Sequence, residues 1–202
     1  MSENLKNVKL AVLLFAGAFI FSGCAESVPT STPQQISQSE CDAIFSSAPH
    51  IYDIYPYLKL NSEEEENDKS TGLHNQGFDC LSCHYSGGPG EKVFTIGGTI
   101  FRKKDAPDKD VASAAEGYTV QLVLRNCQTV TANKGRGSGN FYMNFSPSED
   151  FIPFVIDPSG NRVNRSAAVH PKDRLRCNSC HTQSGVNGAP GRIVSFDFYG
   201  KL

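Results

Sequence analysis

An excess of charge of one sign is missing from this 202-residue chain: nineteen Lys and Arg against twenty-one Asp and Glu leave a formal net charge of −2. A nucleic-acid-binding protein needs a basic footprint to meet phosphates, so DNA and RNA are excluded as partners. Long apolar runs are missing too. The longest, residues 10–21, has twelve residues, whereas a helix needs about 20 to cross a hydrocarbon core. No membrane span is therefore predicted in the mature chain. Methionine is scarce, with two in all. The apolar share of 39% and charged share of 20% are those of a folded protein, and the length suits one modest globular domain with appendages.

Lys6 and Lys9, the apolar 10–21 stretch and Ser22-Gly23-Cys24 follow the basic, apolar, small-residue order of an export signal. The Ser-Gly-Cys ending resembles a bacterial lipoprotein lipobox, with Phe21 where Leu is usual. The resemblance implies removal of residues 1–23, acylation of Cys24 and, because Ala25 follows it, transfer to the outer membrane. Ordinary cleavage nearby, with Cys24 left as a thiol, is the alternative. Several acyl chains on Cys24 would anchor the protein firmly. Residues 24–40 offer almost nothing to a core and are expected to be the lipidated cysteine and a flexible tether, reaching about 20–25 Å.

Two pentapeptides dominate the rest: Cys80-Leu81-Ser82-Cys83-His84 and Cys177-Asn178-Ser179-Cys180-His181. Both have the form of c-type haem attachment sites, in which two thiols reach the two vinyl groups of one porphyrin and the next imidazole binds iron. Two Cys-x-x-Cys knuckles could instead share a zinc ion, but such knuckles usually sit about 15–20 residues apart and these are 97 positions apart. A pair of redox dithiols would need a βαβ setting, which neither motif has.

The motifs head an internal repeat. His74, Cys80, Cys83, His84, the turn Gly87-Gly88-Pro89-Gly90 and Val93-Phe94 are matched by His170, Cys177, Cys180, His181, Gly188-Ala189-Pro190-Gly191 and Ile193-Val194. The glycines would let backbone approach a flat macrocycle closely. On these residues the chain resembles the dihaem c-type cytochromes of bacterial envelopes, which implies two covalently bound haem c groups, with Cys80, Cys83, Cys177 and Cys180 attaching them.

Each iron has His84 or His181 as its first axial ligand; the second must come from His50, His74, His170 or Met143. His74 and His170 stand ten and eleven residues before their motif histidines. Equivalent placement predicts equivalent roles, so bis-histidine ligation is expected, with each capping either its own haem or the other. Met143 sits in an alternating strand pattern and is expected to pack. His50 is expected to be an ordinary packed or exposed histidine.

Between the motifs, residues 93–101, 118–124, 128–131, 140–145 and 151–156 are rich in β-branched and aromatic residues, separated by turn signals. The expected fold is mainly β: a small antiparallel β-sandwich with loop-rich haem-binding segments on either side. Its sequence order resembles a carboxypeptidase-regulatory or transthyretin-type sandwich. The expected organisation is signal peptide 1–23, lipidated tether 24–40, cover segment and acidic loop 41–73, first haem segment 74–92, sandwich 93–165 and second haem segment 166–202. Cys41 and Cys127 remain after subtraction and are expected to form a disulfide in an oxidising envelope. Tyr52, Tyr55 and Tyr57 are expected to pack on the β core or cover a haem edge, and the acidic 61–69 stretch to be a solvated loop or a docking surface for a basic cytochrome.

The function expected from this set is electron transfer within or across the bacterial envelope, with other redox proteins, extracellular acceptors or further copies of the chain as partners. Two rivals stand beside it: a dihaem peroxidase or oxidase with one open iron position, and a structural subunit of a larger cytochrome assembly.

Overall fold

The computed structural model describes residues 32–48 and 74–196. The expected signal peptide, Cys24, His50, the three tyrosines and the acidic loop lie outside the described residues. Among the described residues no helix is long and apolar enough to cross a membrane.

The fold is mainly β, built from two sheets. The first has strand order β1 (Gln34–Gln35), β4 (Gln128–Thr131), β3 (Thr119–Leu124), β7 (Phe151–Ile156) and β8 (Arg162–Arg165), all antiparallel. The second runs β5 (Asn133–Lys134), β6 (Asn140–Met143), β2 (Ile96–Phe101) and β9 (Ile193–Val194). Within residues 93–165 every strand pair is antiparallel, as expected, and β9, which lies beyond that span, adds a parallel partner to β2. A parallel pair needs a long connection, and the chain supplies one.

Alternation places the core. Val120, Leu122 and Leu124 of β3, with Phe151 and Val155 of β7, meet Ile96, Ile100, Phe141 and Met143 of the second sheet in one buried cluster. The intervening Val123, Ile152, Phe154 and Ile156 form a second cluster on the far face of the first sheet. A two-residue period with both faces covered gives this pattern. Met143 is fully buried among these apolar side chains.

Helix α1 (Gln38–Ser46) covers that far face. Ser37 caps it, accepting a hydrogen bond from the Glu40 amide at 3.2 Å. Cys41, Ile44, Phe45 and Ala48 follow helical spacing; Ile44, Phe45 and Ala48 join the outer cluster, and Cys41 is buried. The tether expected to reach residue 40 is therefore shorter: Gln34 and Gln35 pair with Thr129 and Gln128, and Ile36 packs on the outer cluster. Backbone pairing at a sheet edge asks nothing apolar of the side chains, so composition could not reveal it.

Cys41 and Cys127 are joined in a disulfide, with Cα atoms 5.4 Å apart. It ties α1 to the β3–β4 turn across 86 positions. Replacing both cysteines by alanine is expected to lower stability by about 2–4 kcal/mol, read as a lower urea midpoint with a larger m-value, because the unfolded chain expands once the crosslink is gone.

Candidate functional site

The two Cys-x-x-Cys-His motifs, 97 positions apart in the chain, fold into the same local structure. Residues Cys80–Ser82 form a 3-10 turn and Cys177–Cys180 a short helical turn, α2. In each, the histidine amide donates to the first cysteine carbonyl at 3.0 Å. The serine preceding the second cysteine closes the turn with its hydroxyl: Ser82 Oγ donates to Asp79 O at 2.6 Å and Ser179 Oγ to Arg176 O at 2.7 Å. Helical spacing sets the two thiols of a motif on one side.

The motif histidines are held alike. His84 Nδ1 lies 2.7 Å from the Lys92 carbonyl, and His181 Nδ1 lies 2.9 Å from that of Gly191. A carbonyl only accepts, so each Nδ1 carries the proton, and a neutral ring then keeps its lone pair on Nε2. That nitrogen is a metal-ligand donor. The Pro-Gly turns deliver these carbonyls. A Cβ on Gly90 would stand 2.5 Å from His84 Nδ1, and Gly191 has φ +119°, so each turn needs its glycine for a different reason.

Each upstream histidine lies near the motif histidine of its own repeat unit. The His74 and His84 rings are 5.9 Å apart and tilted by 33°, while Phe94 stacks on His84 at 4.5 Å. His170 and His181 both line one cavity of about 270 Å3, together with Cys177 and Cys180. His170 is pushed down to about 3, by burial first and then by the neighbouring His181, and His181 is lowered by burial, with Arg192 adding to it. Both rings are therefore neutral at pH 7. Burial pushes the Cys177 thiol up to about 12, with Cys180 and Asp79 adding to the shift. A reactive dithiol needs a depressed thiol pKa, so the second motif is ill-suited to disulfide exchange. The four motif cysteines remain thiols.

The rest of the cavity is chemically lopsided. Ile96, Val120, Leu122, Phe141 and Val155 form an apolar wall, and the charged lining residues are Lys104, Arg165, Arg174, Arg176 and Arg192, with no carboxylate among them. The lining thus sets an apolar wall beside cationic groups. Among the described residues no set of three or more His, Cys, Asp or Glu converges to hold a metal ion directly.

Strand β2 brings the two motifs together. A Cβ on Gly97 would lie 3.0 Å from the Cys80 Cβ, and one on Gly98 would lie 2.8 Å from the Cys177 Cβ. Successive residues of a strand face opposite ways, so the paired glycines let one motif approach each face. Asn178, almost fully buried, joins them: its Oδ1 accepts from the Thr99 amide at 3.0 Å and its Nδ2 donates to Phe78 O at 2.7 Å. Arg176 forms an ion pair with Asp79, donating through Nε at 2.6 Å. Arg192 donates to Gly77 O and His181 O, both at 3.1 Å. The roles of Asn178, Arg176 and Arg192 leave no trace in the spacing of the motifs, whereas the Gly97-Gly98 pair inside a strand is a sequence signal of close approach.

Compared with protein-family models, curated proteins and solved structures, the chain matches none.

Proposed function

We propose that this chain is a dihaem c-type cytochrome lipoprotein that carries electrons within or across the bacterial cell envelope. One observation carries the reading: both thiols of the second motif, its His181 and the upstream His170 line a single apolar cavity whose charged lining is wholly cationic. A haem is a flat apolar macrocycle bearing carboxylates, and that lining suits it. At the first motif, two imidazoles on either side of one metal ion, each bonded at about 2 Å, need ring centres roughly 6 Å apart; His74 and His84 are 5.9 Å apart.

Bound at these sites, each haem would supply reversible one-electron chemistry. Cys80 and Cys83 would hold one group covalently, and Cys177 and Cys180 the other. His84 and His181 would ligate from one side, their Nε2 kept available by the Lys92 and Gly191 carbonyls that hold Nδ1. His74 and His170 would ligate from the other side and leave no position for a substrate, which favours electron relay over a peroxidase or oxidase. The disulfide suits an oxidising compartment, and an acylated Cys24 would hold the body at the outer membrane, where redox proteins, extracellular acceptors or further copies could meet it.

The test is protein matured by the cytochrome c apparatus. Its intact mass should include two haem groups, and its EPR spectrum should be low-spin. His74→Ala and His170→Ala should each convert one iron to high-spin. A mass lacking the added groups overturns the reading, and an unchanged spectrum in both variants overturns the distal ligands.

A further inference from the structure

We propose that Arg192 sets the two centres apart in reduction potential, its buried charge holding the centre at His181 at the more positive value; this rests on the haem reading above. Arg192 is 3% exposed. Its guanidinium donates to Ala106 O at 2.9 Å and to Gly77 O and His181 O, pairs with Asp108 and lies over the Phe101 ring at 5.0 Å. The charge is incompletely cancelled, because the Asp108 side chain is 53% exposed and water screens it, whereas the buried guanidinium is screened far less.

The consequence follows from charge alone. The centre takes one electron from a donor redox protein and passes one to an acceptor. Oxidised iron carries one more positive charge than reduced iron, so a fixed cation nearby opposes oxidation. The repeat does not reproduce this feature. Aligned on the Pro-Gly turns, the residue in the place of Arg192 is Glu91, which is exposed. The two sites therefore differ by a buried cation at this position, beside the other basic residues that line the His181 cavity, and electrons should settle at the His181 site.

Potentiometric titration of the full matured chain tests this with three variants. Arg192→Gln should move the more positive wave downward, by about tenfold in its reduction equilibrium, or ~59 mV for one electron, and move the other wave less. Arg192→Lys should keep most of the wild-type value. Asp108→Asn, at a half-exposed side chain, should move the same wave upward, and it carries the test if Arg192→Gln does not fold. Opposite shifts support the proposal, since a purely structural lesion has no reason to change sign with the charge removed. Shifts in the same direction, or none, overturn it. A wild-type protein without haem instead overturns the functional reading on which it stands.

Discussion

Protein carrying Cys177→Ala and Cys180→Ala is expected to mature with one haem instead of two and to lose up to about 6 kcal/mol of stability relative to the fully loaded form. The upper bound comes from the cavity of about 270 Å3 that these cysteines line, at ~24 cal/mol for each Å3 left unfilled, and water entering its open side lowers the loss. A domain of this kind holds a total of about 5–15 kcal/mol, so the singly loaded protein should be marginal. Part of the loss arises because the cavity wall is the sandwich core itself: Ile96, Val120, Leu122, Phe141 and Val155 belong both to the inner cluster and to the lining. Intact mass and urea unfolding read the two effects separately. An unfolding midpoint equal to that of the loaded protein would mean that the walls collapse onto one another without an occupant.

Asn178→Ala should destabilise the protein by about 2–6 kcal/mol. The amide is nearly fully buried and serves the Thr99 amide, the Thr99 hydroxyl and the Phe78 carbonyl. Truncation leaves a buried donor and a buried acceptor without this partner, each at about 1–3 kcal/mol. The loss falls at the joint between the two motifs, because Phe78 and Thr99 hold the first motif and its strand while Asn178 lies between the cysteines of the second. Equilibrium unfolding monitored by far-UV circular dichroism measures it. A change below about 0.5 kcal/mol would show that the Arg176–Asp79 and Arg192 links carry the joint without Asn178.

These effects concern residues of very different visibility. The motif cysteines and histidines could be read directly, because attachment chemistry fixes their spacing over five residues and the repeat then draws in His74 and His170. Cys41 and Cys127 could be paired by subtraction, and their disulfide is present. Strands β3 and β7 were legible because alternating apolar residues face the two clusters. The short strands β1, β5 and β8 were not, since two to four residues hold too little period to register, whereas β9 could be expected from the repeat, which starts a strand at Ile193 and Val194.

Local pattern alone thus carries the proposed covalent chemistry, the compartment expected from the cysteines and the β character of the middle of the chain. Tertiary structure decided how these parts stand together: α1 on the outer sheet face, β9 parallel to β2, one motif against each glycine of the Gly97-Gly98 pair, and Arg192 buried between Gly77 and His181. The physical reason is one of range. Spacing encodes which groups a five-residue turn can present, whereas a hydrogen bond from Arg192 to a carbonyl 115 positions away depends on packing that brings distant segments together and leaves no periodic trace near either partner.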